Sequence, residues 1–328
     1  MTDTDPRWGA HGGPPPDSVA GRDAWIWLDG EVVPAAEAVV GVMTHGLHYG
    51  YGLFEGIRTY AQTGGGSAVF RLDDHVARLF GGAKILQLAL PWTEQQICDA
   101  CVEVVRRNRL DACYVRPLVF VGEGALGIHA PRNPIRVAIG AWAWGTYLGA
   151  EALEQGVRAV VSSFTRTLVN TNMVRAKVTG QYVTSILARC EAKAQGADEA
   201  ILLDKDGYCA EGSGENLFLV RDETLVTPPL SSPILAGITR ASILELARDA
   251  GIDVVEQRFT RDELYLADEA FLTGTAAEVT PLREVDRRPI GAGRRGPITA
   301  ELQRAFFAAV RGEDDERVGW LTDVPAGR

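Results

Sequence analysis

The stretch HGLHYGYGLFEGIRTY, from His45 to Tyr60, constrains the fold most: Gly46, Gly50, Gly52 and Gly56 are set among two histidines and four aromatic rings. A glycine inside a helix costs roughly 1 kcal/mol relative to alanine, so the spacing predicts extended chain and tight turns rather than a helix. Backbone without side chains can approach a neighbour closely. Tyr49, Tyr51 and Phe54 supply flat apolar walls and Arg58 a planar cation. Two readings fit this pattern, a pocket lining or a strand and turn within a core.

The flanking segments place the stretch in a mixed domain. WIWLDGEVVP alternates as a hairpin turning at Asp29-Gly30, and a second hairpin turns through TGGGS, residues 63 to 67. RLDDHVARLFGGAKILQL and TEQQICDACVEVVRRNRL carry apolar residues at helical spacing, then CYVRPLVFVG and IRVAIGAWAWG return to strand. The expected division is a leader over 1–22, a small α/β domain over 23–145, a connection over 146–156 and a larger β-rich domain over 157–328. In the second half, VRAVVSSF, EAILL and ENLFLV read as strands, with a turn at Asp206-Gly207. VTSILARCEAKAQG, ITRASILELARDAG and PITAELQRAFFAAVRG read as helices, and the TAAEVTPL segment after the strand EAFLTG as a loop.

Charge and cysteine usage narrow the function classes. A formal net charge of −10 over 328 residues excludes the basic face that a phosphate backbone requires, so small metabolites are the expected ligands and no nucleic acid is. The longest uncharged apolar run, Val137 to Ala150, is too short to span a bilayer, and MTDTDPRWGAHGGPPPDSV lacks the basic-then-apolar pattern of a secretory signal. The expectation is a cytoplasmic protein with a flexible leader and no membrane partner. Five cysteines form no secreted framework. Cys98 and Cys101 have redox or metal spacing, yet both fall on one face of an amphipathic helix, which points to packing. No internal repeat or metal-spaced histidine and cysteine cluster occurs, so no metal is expected.

Of 33 basic side chains only four are lysines, Lys84, Lys177, Lys193 and Lys205. Lys205 sits in a turn, Lys193 near a helix end and Lys84 on an amphipathic helix. Lys177, in NTNMVRAKVTGQY, lies among apolar and small residues, where desolvation is expected to lower its pKa and ready the amine for Schiff-base chemistry. A Schiff-base lysine points to pyridoxal phosphate, which also needs an acid at its ring nitrogen and a phosphate cradle. Glu211 and Glu215, on the glycine-interrupted CAEGSGENLF, are both candidates for the acid. Gly237, Ile238 and Thr239 open a helix, where free N–H groups and the helix dipole favour a phosphate.

LHYGYGLFEGIR, YVRPLVFVG, WGTYLGAEALEQG, AEGSGENLF, GITR and YLADEAFLTGTAAEVTPL together resemble, in order, the branched-chain amino acid aminotransferases of the class IV pyridoxal-phosphate enzymes. The likeness covers about residues 25 to 324. It implies a mixed α+β, two-domain fold of type IV, with a small α/β domain and a larger β-rich pseudo-barrel, and pyridoxal 5'-phosphate as cofactor. It implies that Lys177 is the catalytic Schiff-base lysine, that Tyr182 holds the phenolic oxygen and that Glu211 pairs with the pyridine nitrogen. Arg78, the backbone of Ile238 and Thr239, and Thr275 would bind the phosphate. Tyr49, Phe54, Tyr114, Trp144 and Tyr147 would wall the substrate pocket, with Arg116 taking the distal carboxylate of glutamate. Thr275 and Ala276 would offer N–H groups to the α-carboxylate, and Ile128 would reach into a neighbouring subunit's site, hence a homodimer or higher oligomer. The implied reaction is ping-pong transfer of an amino group between L-leucine, L-isoleucine or L-valine and 2-oxoglutarate, giving L-glutamate and the 2-oxo acids.

Val169, Met173 and Arg175 stand where proline and alanine are common in that family, and Ala236 where proline is. If the approach to Lys177 is a strand, Arg175 shares its face and brings an extra cation near the site; the favoured reading is solvent exposure at the domain edge. Other class IV activities therefore stay open: a pathway-specific transaminase for an unusual amino acid, a D-amino acid aminotransferase, or an enzyme like aminodeoxychorismate lyase. A pyridoxal-phosphate binder without catalysis is the remaining reading, and the set Lys177, Tyr182 and Glu211 argues against it.

Overall fold

The computed structural model describes residues 24–145 and 150–326, so the leader expected over 1–22 and Tyr147 lie outside the described residues. The first half contains β1 (Trp25–Leu28), β2 (Glu31–Pro34), α1 (His45–Tyr49), β3 (Gly52–Phe54), β4 (Ile57–Ala61) and β5 (Ser67–Phe70). There follow α2 (Leu72–Ile85), α3 (Glu94–Arg107), β6 (Cys113–Val121) and β7 (Ile135–Trp142). The second half runs α4 (Ala150–Gln155), β8 (Val157–Thr165), α5 (Tyr182–Ala194), β9 (Glu199–Leu203), β10 (Cys209–Gly212), β11 (Asn216–Arg221) and β12 (Thr224–Thr227). It closes with α6 (Ile238–Asp249), β13 (Val254–Glu256), α7 (Arg261–Tyr265), β14 (Glu269–Gly274), β15 (Glu278–Val285), β16 (Arg288–Pro289), α8 (Pro297–Val310) and β17 (Leu321–Val324).

The strands form two sheets. The first has the order β17-β5-β4-β6-β7-β1-β2, with β3 also on β6. The second runs β10-β9-β8-β15-β14-β11-β12-β13, and an added β10–β11 pairing closes its first six strands into a barrel-like ring. This is the expected mixed α+β, pseudo-barrel class. β17 returns to the first sheet, antiparallel to β5, so the C-terminus does not stay with the second half.

Helix α3 shows why the sequence folds as it does. Thr93 and Gln96 cap each other's backbone at its N-terminus, and Ile97, Cys101, Val104 and Val105 are fully buried against the first sheet. Each such aliphatic side chain contributes roughly 1.5–3 kcal/mol by burial. Cys98 and Cys101 belong to this core, and burial pushes the Cys98 thiol up to about 12. β11 has no polar face because both its faces are covered. Leu217 and Leu219 join one core and Phe218 and Val220 the other, beneath α6 and α8.

Three local expectations are corrected. His45–Tyr49 is a single helical turn, ended by Gly50 in the left-handed region (φ 62°). The glycine acts as its C-cap rather than preventing it. TAAEVTPL is not all loop, because Glu278 already pairs with Gly274 and opens β15. The segment before Lys177 is a turn closed by Ala176 N–H donating to Met173 O at 2.9 Å, not a strand.

Candidate active site

A cleft opens between the two sheets, and Lys177 lines it with Tyr182, Arg78, Tyr114, Glu211, Ile238, Thr239, Thr275 and Ala276. The glycines of the opening stretch make this juxtaposition possible. Gly50 O accepts from Gly180 N–H at 3.1 Å and from the Thr179 hydroxyl at 2.7 Å, and Phe54 N–H donates to Lys177 O at 3.1 Å. A Cβ at Gly50 would sit 2.8 Å from the Gly180 Cα, so only glycine lets the two chains touch there. A Cβ at Gly56 would fall 1.7 Å from the Tyr114 hydroxyl.

The Lys177 Nζ donates to the Tyr182 hydroxyl at 2.7 Å and lies 5.1 Å from the Phe54 ring centre. Burial pulls this amine down, as expected, but Tyr182, with Glu55 and Tyr114, outweighs burial and the nearby Arg78 charge. The net direction is up, which corrects the lowered pKa read from the sequence. Charge interaction with the adjacent Tyr182 oxygen is the largest of the effects that raise it.

Glu211 sits on β10, 5 % exposed. One oxygen meets Arg166 Nη2 at 2.5 Å, and the other accepts from Leu235 N–H at 3.0 Å and Asn216 Nδ2 at 3.2 Å. Burial pushes the carboxyl up against the pull of Arg166. A carboxylate has about four acceptor positions, so one further donor can be received. Glu215 lines the same cleft but accepts from Gly214 N–H at 3.0 Å. Burial, and then the neighbouring Glu199 charge, push it up to about 8. The structure thus gives the two glutamates different surroundings, which the sequence did not.

Another side of the cleft comes from three elements. Helix α6 starts at Gly237 with no side-chain cap, which leaves its first N–H groups without a local acceptor. Thr275, Ala276 and Ala277 are the loop of the β14–β15 hairpin, and the Ala276 carbonyl accepts from Arg58 Nη1 at 3.3 Å. Arg78, on α2, donates through Nη1 to Ala236 O at 2.8 Å and through Nε and Nη2 to the two oxygens of Glu55, both at 2.8 Å.

Sequence reasoning missed Glu55 and Arg166. Glu55 is 1 % exposed, and burial alone would push it up. The Arg78 guanidinium and the His75 ring, 2.8 Å away, reverse this and hold the carboxyl well below the usual carboxylate range. Its stabilisation is therefore complete above the ordinary carboxylate pKa of about 4.3 and fades only as pH falls towards the depressed value. Glu55→Gln is expected to lower the unfolding free energy by about 3–5 kcal/mol, because it strands a buried guanidinium. Urea unfolding at neutral pH measures this, and an unchanged midpoint would contradict the pairing. The available signal was one acid in FEGIR and one arginine in TRT, each needing a partner once buried.

The remaining expected wall residues divide. Phe54 packs edge-on against Tyr182 at 4.8 Å between centroids, and Trp144 packs on Tyr114 at 4.6 Å. The Arg116 guanidinium lies over Phe54 at 4.6 Å, donates to the Tyr114 hydroxyl at 3.4 Å, and keeps a buried Nε with no partner among the described residues. Tyr49 is not among the residues that line this cleft within the one chain. It projects from α1, 47 % exposed, against His45 at 4.5 Å. Ile128, 95 % exposed, also stands away from the cleft.

The sequence pattern of amino-transferase class IV matches residues 52–285. The branched-chain-amino-acid aminotransferase of Pseudomonas aeruginosa is 51% identical over 307 residues, 94% of this chain and 99% of that protein. The Escherichia coli K12 protein of the same name is 48% identical over 301 residues, 92% of this chain and 97% of its own. The crystal structure of the Escherichia coli branched-chain amino acid aminotransferase superposes with a TM-score of 0.90 at 47% identity, covering 92% of this chain and 100% of that one. That of the Thermobaculum terrenum branched-chain amino acid aminotransferase in its PLP-bound holo form does so with a TM-score of 0.86 at 34% identity, over 93% and 99%. Matched over most of its length in both sequence and structure, the chain belongs to the class IV aminotransferases.

Proposed function

We infer that the protein is a branched-chain-amino-acid transaminase, which moves an amino group reversibly between L-leucine, L-isoleucine or L-valine and 2-oxoglutarate in ping-pong fashion. The observation that carries this reading is the Lys177 amine, 2.7 Å from Tyr182, in one cleft with Glu211. Near-full-length relatives of that activity agree with it. The cofactor is pyridoxal 5'-phosphate, and the residues present fit it. Arg78, the uncapped N–H groups of Ile238 and Thr239, and Thr275 would hold the phosphate, Tyr182 the phenolic oxygen and Glu211 the ring nitrogen. When bound, it supplies an electron sink for the charge left at the substrate Cα.

The chain's own residues do the rest. Lys177 would hold the cofactor through its amine and, once free, would take the proton from the substrate Cα and deliver it to the cofactor carbon as general base and then acid. Glu211, pinned by Arg166, would keep a proton on the ring nitrogen. Ala276 and Thr275 N–H groups orient the α-carboxylate, while Phe54, Tyr114 and Trp144 surround the aliphatic side chain.

Arg116 gives the dual specificity: its orphaned Nε is the donor that the second carboxylate of glutamate meets. Arg116→Ala is expected to lower kcat/KM for glutamate and 2-oxoglutarate by about 10- to 100-fold and to affect leucine far less. Steady-state kinetics with both donors checks this, and equal losses would sink the assignment.

We further propose a homodimer. Val42, Leu47, Tyr49, Leu126 and Ile128 are exposed together, and His45 Nε2 bonds Gly127 O at 2.9 Å to join α1 to the loop. That face would carry Ile128 towards a second subunit's cleft. A division near 146–156 is proposed for the two domains, with β17 added to the first sheet. The five unpaired cysteines suit a cytoplasmic location. Among the described residues, no helix is long and apolar enough to cross a membrane.

A further inference from the structure

A second cleft lies on the far side of the turn that delivers Lys177, and Val174 lines both clefts. Its polar groups include Arg175 and Ser232. The Arg175 Nη1 and the Ser232 Oγ are buried, and neither has a hydrogen-bond partner among the described residues. Ser232 as a whole is only 6 % exposed. Buried donors of this kind are seldom left unmet in native chains. Arg175 lines this neighbouring cleft and is not among the residues that line the Lys177 cleft.

Part of the wall is aliphatic. Ile85, Met173 and Leu230 line the cleft and remain 39 %, 44 % and 39 % exposed, beside the polar Asn170, Asn172 and Ser231. A guanidinium and a hydroxyl in the same cleft as hydrocarbon suit a carboxylate with an aliphatic tail. The cleft also sits between the segments that hold the chemistry. Arg175 precedes Lys177 by two positions, and Ser232 is on the loop whose Leu235 N–H donates to Glu211 at 3.0 Å.

We propose that this cleft is an accessory site for a small aliphatic carboxylate, with Arg175 and Ser232 taking the carboxylate and Ile85, Met173 and Leu230 the tail. It draws on the branched-chain reading only for the choice of probe, 4-methylpentanoate, which carries neither an amine nor a keto group that can react. Calorimetric titration of the holoenzyme is expected to find two equivalents of this probe per chain. Arg175→Met keeps one and Arg175→Lys keeps both, while Ser232→Ala weakens the second equivalent about tenfold. Two equivalents in Arg175→Met, or a single equivalent in the parent that survives it, would overturn the proposal. A failure of the branched-chain reading alone has another signature: one equivalent in the parent, abolished by Arg175→Met.

Discussion

Lys177→Ala is expected to lower amino transfer by at least ~10²–10⁴, the range for a lost general acid and base, and to leave the purified protein without the visible absorbance of a lysine-bound cofactor. The cofactor should still be retained. Arg78, the start of α6 and the β14–β15 loop line the cleft independently of the lysine, so the phosphate contacts survive the substitution. Methylamine, added as an external amine, is expected to restore part of the rate, because the missing group is a proton carrier and not a structural strut. Absorbance after reconstitution and single-turnover traces with L-leucine make the comparison. An unchanged visible band would show that another of the four lysines carries the chemistry.

Glu211→Gln is expected to fail differently. The Schiff-base absorbance should remain, since Lys177 and Tyr182 are untouched, while Cα proton removal slows by roughly 10²–10³, the usual cost of losing one preorganised electrostatic contact. A neutral amide cannot keep a proton on the ring nitrogen, so the charge at Cα is stabilised less. The substitution also leaves Arg166, 9 % exposed, without its carboxylate partner. The retained band then doubles as proof that the variant folds. Deuterium at the Cα of leucine distinguishes the outcomes: a larger isotope effect on the single turnover is expected, and an unaltered rate would place the ring acid elsewhere.

The hairpins, the long helices and most strands were legible because their signals are local. Asp29-Gly30 and the 63–67 turn fix two pairings over short distances, and α3 carries its own capping box and apolar stripe. Long-range pairing has no such local mark. β17 joins β5 across most of the chain, and β8 runs parallel to both β9 and β15. β15 was hidden because its first residue, Glu278, is in the left-handed region (φ 56°), with its buried carboxyl accepting from Tyr60 at 3.1 Å and lying 3.6 Å from Arg58. Nothing in TAAEVTPL announces those distant partners.

The site divides along the same line. Lysine scarcity singled out Lys177 as a candidate, and glycine settings singled out Glu211 and Glu215 together and the α6 start. Which of two glutamates meets an arginine depends on tertiary contacts, as does the direction of the Lys177 pKa. A single-turn helix, and not an extended strand, sets where Tyr49 projects. The place of Arg175 was open between the site and the domain edge, and it depends on the turn before Lys177, with the two cations lining different clefts.

The central claim is the amino-group exchange itself, and one measurement tests it most directly. The purified protein, loaded with pyridoxal 5'-phosphate, is incubated with 2-oxoglutarate and each of L-leucine, L-isoleucine, L-valine and their D-enantiomers, and the glutamate formed is resolved by chiral chromatography. L-glutamate is expected from the three L-donors, with double-reciprocal plots parallel as a ping-pong reaction requires. D-glutamate from the D-donors, or no glutamate from any branched donor, would contradict the account.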